Sequence, residues 1–315
     1  MVKMIEPKLG ETIADFACGT GGFLTSSLKV LEPQIKSIED RELYDASVFG
    51  IEKKPLPYLL CITNMLLHDI DSPKIYHANS LEQNVRDYKE QDKFDIILMN
   101  PPYGGTESEG VKMNFPADLR SSETADLFMS VIMYRLKRNG RAAVIIPDGF
   151  LFGSDNAKVA IKQKLIDEFN LHTIVRLPAS VFAPYTSITT NIIFLDNQQK
   201  TDAVWFYRVD MPDGYKHFSK TKPMKLEHFD SCVAWWYDRQ EIADEGSDSF
   251  KAKEFAVDEI RARNFDLDLC GYPTYEEEVL SPEETIRQFK EKRDALNVRI
   301  DRKIKQIEDL LGVQP

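Results

Sequence analysis

At 315 residues the chain is long enough to bury one sizeable core and an appendage, but short for two full catalytic domains. Its 43% of apolar residues excludes wholesale disorder, no apolar run approaches the ~20 residues of a membrane span, and Met1–Ile5 lacks the apolar region of a secretory signal. A net charge of −11 argues against a basic face over the whole molecule. Local basic patches remain compatible with it, and a nucleic-acid role would lean on a partner for much of the grip on phosphate.

The first 200 residues alternate between strand and helix patterns. Residues 13–16 read as a short apolar strand ending in glycines, followed by a helix over 23–31. After a polar stretch at 32–47 come a strand at 48–52, a helix through 59–67 with apolar residues at helical spacing, and a short strand at 74–77. Residues 94–99 are nearly all apolar, as a strand covered on both faces requires. A helix at 125–136 ends near Asn139-Gly140; a strand at 141–146, a helix at 157–168 and strands at 172–177 and 188–195 follow. This rhythm predicts an α/β fold with a mostly parallel sheet and helices on both faces.

From about residue 201 the pattern changes. Residues 204–209 read as one more strand, 210–250 as irregular, and 241–249 as an acidic linker-like piece. Ser281-Pro282-Glu283-Glu284 opens a long helix, with Ser281 as cap, Pro282 at the first helical position and Glu284 completing a capping box. That helix should stop before Gly312. Its apolar residues Ile286, Phe289, Leu296, Ile300, Ile307 and Leu310 recur at near-heptad spacing, interrupted by Arg293 and Lys303. Such a stripe packs on a partner helix or back on its own domain. The division expected is 1–200 as a catalytic domain, 201–280 as an extension and 281–312 as the long helix. The cysteines Cys18, Cys61, Cys232 and Cys270 are scattered, with no Cys-x-x-Cys pair and no closely spaced histidine. This argues against zinc or a disulfide framework and fits a reducing cytoplasm; no metal is expected.

Two motifs carry chemistry. The first, Asp15-Phe16-Ala17-Cys18-Gly19-Thr20-Gly21-Gly22-Phe23, joins a strand to a helix. Glycines there let backbone approach a ligand, and free amides at a helix start attract an anion; the same glycines would also serve a plain connecting turn. The order is not the Gly-x-Gly-x-x-Gly dinucleotide fingerprint. Glu52 closes the next strand, 37 residues after Asp15, where an acid can hold ribose hydroxyls or simply be solvated.

The second motif is Asn100-Pro101-Pro102-Tyr103, directly after the buried strand. Two prolines fix a rigid extended turn and leave the Asn100 side-chain oxygen and the Pro101 carbonyl as acceptors. An amino group conjugated to an aromatic ring is a weak nucleophile, because its lone pair is delocalised. Two acceptors holding its hydrogens turn that lone pair toward an electrophile, so orientation does the work of a base. Tyr103 offers a stacking face. The loop 104–124 that follows is long and polar, as mobile lids and substrate contacts often are. Its Lys112 and Arg120 are placed either to touch phosphate or to lie in solvated loop.

These motifs, in this order, resemble those of S-adenosylmethionine-dependent amino-methyltransferases. Together with Asn139–Phe152 and Leu177–Leu195 they resemble the modification subunit of type I restriction-modification systems, over roughly residues 10–200. The resemblance implies a Rossmann-like, seven-stranded, mostly parallel sheet with an antiparallel hairpin strand. It implies methylation of adenine N6 in DNA, in a bacterial or archaeal cytoplasm, with S-adenosylmethionine as cofactor. The partners it implies are DNA, a specificity subunit, a second methyltransferase subunit and a restriction subunit, with no membrane. By the same resemblance Asp15, Ala17, Cys18, Gly19, Thr20, Gly21 and Gly22 form the cofactor loop and Glu52 holds the ribose. Asn79-Ser80 lies near the cofactor adenine and Asn100 borders the cofactor. Asn100, Pro101, Pro102 and Tyr103 hold the target adenine, and Phe182 is a second aromatic against the flipped base, unless it is ordinary core.

Three departures from that pattern stand out. Phe16 stands where the family usually has Pro, and Asn79 where it commonly has Asp. Only fourteen residues precede Asp15, so the family's N-terminal helical domain and the cofactor-contacting segment ahead of the glycine loop are expected to be missing, as in a fragment. A cytosine-C5 methyltransferase is excluded, because no cysteine follows a proline. A methyltransferase of protein glutamine amides and a catalytically inactive assembly subunit remain as alternatives.

Overall fold

The protein is described by a computed structural model covering residues 1–183, 185–212, 214–244, 249–271 and 282–311. Residues 1–272 and 273–315 fall into two compact units. The first opens with α1 (Val2–Ile5), β1 (Ile13–Asp15), α2 (Gly22–Leu31), α3 (Ile38–Asp45), β2 (Val48–Glu52), α4 (Pro55–Leu66), β3 (Lys74–His77) and β4 (Phe94–Met99). It continues through α5 (Glu109–Lys112), α6 (Thr124–Arg135), β5 (Leu136–Pro147), α7 (Asp148–Phe152), α8 (Asn156–Glu168), β6 (Asn170–Arg176), β7 (Thr190–Asp196) and β8 (Ala203–Arg208). It closes with α9 (Asp230–Tyr237), β9 (Ile242–Ala243), β10 (Phe250–Ala256) and α10 (Val257–Ala262).

Alternation along the buried strands explains the layers. Ile96 and Leu98 face one apolar cluster together with residues of α2, α4 and α9. Ile97 and Met99 face another, built with α6 and α8. Both faces of the sheet are therefore covered, as βαβ crossovers require. The strand order is β3-β2-β1-β4-β5-β7-β6-β8-β10-β9. β1, β2, β3, β4 and β5 run parallel to one another, and β7 runs antiparallel between β5 and β6.

The eight strands read from sequence, the one at 204–209 (β8) included, are all present in this α/β sheet, but among the described residues the count is ten, against the seven that the resemblance implies. β8 pairs in parallel with β6, and β10 and β9 add antiparallel strands beyond it. Their pairing covers an edge of β6 that would otherwise expose unpaired amides.

Three local expectations change. The polar stretch at 32–47 contains α3, nucleated by a reciprocal capping box between Ser37 and Asp40; with only Tyr44 buried, its apolar period is too weak to read. The segment 210–250, expected to be irregular, holds α9, anchored by buried Cys232 and Trp235, and β9. β5 begins at Leu136 rather than 141, because Leu136 pairs with Phe94 and the extra residues are absorbed around left-handed Asn139. Of the acidic piece at 241–249, residues 245–248 lie outside the described residues.

The second unit contains α11 (Pro282–Leu311), 30 residues long, with Ile286, Phe289 and Ile300 exposed. The expected Ser281 cap, the Gly312 stop and the side chains of Leu296, Ile307 and Leu310 lie outside the described residues. No helix among the described residues is long and apolar enough to cross a membrane.

Candidate active site

The glycine loop between β1 and α2 is shaped from beneath. Asp15, only 2% exposed, accepts a hydrogen bond from the Ala17 amide at 3.0 Å. Burial raises its carboxyl to about 7; the Ala17 amide opposes this and the neighbouring Glu52 charge adds to it. Gly19 and Gly21 adopt left-handed φ of 55° and 85°. A Cβ on Gly21 would lie 2.8 Å from Cys61 Sγ and 3.2 Å from Met65 Cε, so α4 packs directly under the loop. A Cβ at Gly19 or Gly22 would meet nothing within 4 Å, so the outer side of the loop is open. α2 starts at Gly22 with no side-chain cap, leaving its first amides free for an anion.

Glu52, at the carboxyl end of β2, binds two backbone donors: Gly19 N to Oε2 at 2.9 Å and Lys54 N to Oε1 at 2.7 Å. One carboxylate thus ties the glycine loop to the second strand and keeps lone pairs for a further ligand. Asn79 Oδ1 accepts from Leu81 N at 3.2 Å. Ser80 is buried and donates to the Phe16 carbonyl at 2.6 Å, so its hydroxyl is turned to the loop's underside. Cys18 is also turned inward, its Sγ 3.7 Å from that of Cys61, and what it offers is backbone.

Asn100 follows β4 on the same carboxyl edge, next to β1. Its Oδ1 accepts a hydrogen bond from the Tyr103 hydroxyl, so the acceptor of the turn is already engaged from within. Burial raises the Tyr103 phenol, keeping it protonated and a donor. Pro101 is buried and Pro102 exposed.

The loop that follows is fastened at several points. Thr124 N bonds Gly105 O at 3.0 Å, Phe115 is fully buried, and Asn114 Nδ2 bonds the carbonyls of Leu81 and Glu82 at 3.0 and 2.8 Å. Glu107 pairs with Lys53 at 3.1 Å, bringing the loop to the end of β2. Lys112 is paired with Glu109, and Arg120 with the Phe115 carbonyl.

Phe182 is half-buried in the loop between β6 and β7. It lines an apolar cavity of about 650 Å³ with Phe23, Ile145, Leu177 and Ile192. Tyr103 and Phe182 pack against the same apolar cluster, although neither Tyr103 nor Asn100 lines that cavity.

Several supporting residues escaped the sequence reading. Asn64 of α4 holds the Thr20 carbonyl at 2.7 Å. The Arg135 guanidinium lies 4.4 Å from the Phe16 ring centroid and 5.0 Å from that of Phe94, beneath the loop. Arg176 Nε donates to Asn191 Oδ1 at 3.1 Å, and Asn191 Nδ2 to Asp148 Oδ1 at 2.5 Å, closing the stem of the loop that carries Phe182. The available signal was a polar residue inside an apolar strand, as Asn191 is.

A family model described as N-6 DNA Methylase matches residues 1–279. The type I restriction enzyme EcoEI methylase subunit of Escherichia coli is 45% identical over 316 residues, covering 99% of this chain and 63% of that protein. The EcoKI methylase subunit of Escherichia coli K12 is 29% identical, covering 72% of this chain and 45% of that protein. The chain therefore spans less than two thirds of the length of these relatives. Among solved structures, a modification subunit of a putative type I restriction enzyme from Vibrio vulnificus superposes with a TM-score of 0.78 at 46% identity. It covers 82% of this chain and 54% of its own. The EcoKI M protein superposes at 0.72 with 25% identity, over 95% of this chain and 71% of its own.

Proposed function

Because this chain belongs to the N-6 DNA methylase family, among the modification subunits of type I restriction-modification systems, we propose that it transfers a methyl group to adenine N6 in DNA. The observation that carries this reading is Asn100-Pro101-Pro102-Tyr103 at the carboxyl end of β4, beside a glycine loop held by Glu52. Similarity to methylase subunits of restriction enzymes favours a nucleic-acid base over a protein amide as substrate.

The loop's residues fit S-adenosylmethionine. The open side at Gly19 and Gly22 admits a ligand against backbone, the free amides of α2 suit its carboxylate, and the spare lone pairs of Glu52 suit ribose hydroxyls. When bound, S-adenosylmethionine supplies an electrophilic methyl group on a positively charged sulfur.

The residues of this chain would orient the nucleophile. The Asn100 side-chain oxygen and the Pro101 carbonyl accept the two hydrogens of the adenine amino group and direct its lone pair across the cleft. The Tyr103 hydroxyl already donates to Asn100 Oδ1, which keeps a second lone pair for an amino hydrogen. The Tyr103 ring stacks on the base, with Phe182 as a second apolar face. Such faces help offset the few kcal/mol of unstacking needed to bring a base out of duplex.

The partners proposed are a specificity subunit, a second methyltransferase subunit and a restriction subunit. The test is to supply the protein, with and without a co-expressed specificity subunit, with labelled S-adenosylmethionine and unmethylated DNA. Label in adenine only with the partner present supports the proposal; label in a protein glutamine, or in neither substrate, overturns it.

A further inference from the structure

On the proposed reading, a chain of net charge −11 has to meet a polyanion, and a local basic patch is where it can do so. Two segments leave the carboxyl edge of the sheet, the edge that carries Asn100. Loop 177–189 joins the end of β6 to β7, whose Thr190 pairs with Pro147 at the end of β5, the neighbour of β4. β7 therefore stands two strands from β4, about 10 Å away. β8 is parallel to β6, so the chain after Arg208 leaves by the same edge.

The two segments are fastened together. The Phe218 amide donates to Ser180 Oγ at 2.8 Å, and Phe218 is buried against Tyr215 and His228. Within the loop, Ala183 N bonds Ser180 O and Tyr185 N bonds Phe182 O, both at 2.9 Å. This turn leaves Phe182 on the cavity wall and carries Tyr185 outward, 92% exposed, with Ile188 at 42%.

Segment 214–225 contains Lys216, Lys220, Lys222 and Lys225 and no acid, with Asp210 and Asp213 before it and Glu227 after it. Lys216, Lys220 and Lys222 are exposed, while Lys225 pairs with Glu227. The cations nearer the catalytic turn, Lys112 and Arg120, are held by Glu109 and by the Phe115 carbonyl. One exposed aromatic, or one run of lysines, is ordinary protein surface. Here the two are bound to each other on the edge that carries the catalytic turn.

We propose that residues 179–183, 185–189 and 214–225 form this chain's own contact with duplex DNA. Lys216, Lys220 and Lys222 hold backbone phosphates, and Tyr185 enters the stack beside the target adenine, covering the gap left when that base turns out. The proposal rests on the reading of the chain as a DNA adenine methyltransferase, and it gives part of the 201–280 extension a role in substrate binding.

The test uses the enzyme assembled with its specificity subunit and a duplex that it methylates. In K216Q/K220Q/K222Q, the slope of log Kobs against log salt concentration should become shallower by about 2–3, since each lost phosphate contact removes about 0.9. In Y185A, transfer to the duplex should fall about tenfold or more, while transfer to the same adenine opposite an abasic site stays within about twofold, because that base is already unpaired. Cofactor affinity should be unchanged in both variants. An unchanged salt slope, or a Y185A defect equal on both substrates or absent from both, overturns the proposal. If the unsubstituted enzyme puts no label into adenine, the underlying functional reading fails instead, and this proposal fails with it.

Discussion

Glu52→Gln isolates the connection between the glycine loop and the second strand. The substitution keeps the side-chain volume but replaces two equivalent acceptor oxygens with one acceptor and one donor. Gly19 N and Lys54 N both point at those oxygens, at 2.9 and 2.7 Å. Whichever way the amide turns, one backbone N–H then faces an NH₂ group. A hydrogen bond to a charged acceptor contributes about 1.5–3 kcal/mol, and an unsatisfied buried donor costs about 1–3 kcal/mol. Removing the Glu52 charge also relieves the buried Asp15 carboxyl, which it disfavours, and that offsets part of the loss. The expected net effect is a destabilisation of about 2–3 kcal/mol, read from urea unfolding without cofactor. The exposed Glu82→Gln should change stability by less than about 0.5 kcal/mol. Calorimetry should also show S-adenosylmethionine binding weakened about tenfold or more. Unchanged stability would refute the account of the loop; lost stability with unchanged affinity would refute the ribose role of Glu52.

Three further substitutions probe the same cleft. Gly21→Ala forces a Cβ onto a residue with φ of 85°, 2.8 Å from Cys61 Sγ. Left-handed strain of about 1–2 kcal/mol and overpacking of about 1–3 kcal/mol should lower the unfolding free energy by roughly 2–5 kcal/mol, whereas Gly22→Ala should cost under about 1 kcal/mol. Asp15→Asn tests the buried carboxyl. Its native value of about 7 lies above the ordinary 3.8, so the native state holds the proton more tightly than the unfolded chain. The resulting stability is present below pH 4 and is lost as pH rises through 7. Wild-type stability relative to Asp15→Asn should therefore drop by about 2–3 kcal/mol between pH 5 and pH 8; a pH-independent difference would contradict the assignment. Tyr103→Phe removes the hydroxyl that occupies Asn100 while keeping the ring. Steady-state kinetics should show activity retained, with KM for DNA equal or lower, whereas Tyr103→Ala should raise KM.

What the sequence disclosed depended on the kind of signal. β4 was legible because a strand buried on both faces is a continuous apolar run, and the turn after it because two prolines permit few conformations. The glycine loop was legible for the same reason, since left-handed backbone needs glycine. Which way side chains turn was not. Cys18 and Ser80 stand in the motifs expected to hold the cofactor, yet one faces Cys61 and the other the Phe16 carbonyl, and each partner lies more than forty residues away. α3 and α9 were hidden because each buries few residues, so apolar periodicity carried little. β8 was legible as a strand at 204–209, but its pairing with β6 was not, and β10 and β9 extend the sheet through further pairings that local pattern does not encode. The clamp of Arg176, Asn191 and Asp148 joins residues on three elements, and only its unusual polarity within apolar strands left a trace.

On the proposed reading, Asn100 acts on the substrate's amino group and is not needed to hold the cofactor. This role is tested most directly by measuring S-adenosylmethionine affinity and methyl transfer to adenine on the same preparation of Asn100→Ala, assembled with its specificity subunit. Affinity should stay within about threefold of the unsubstituted enzyme and transfer should fall by about 10²–10³ or more, the usual loss when one preorganised polar group is removed from a reacting centre. Transfer that persists at the unsubstituted rate would contradict this role, and so would a parallel loss of cofactor binding and transfer.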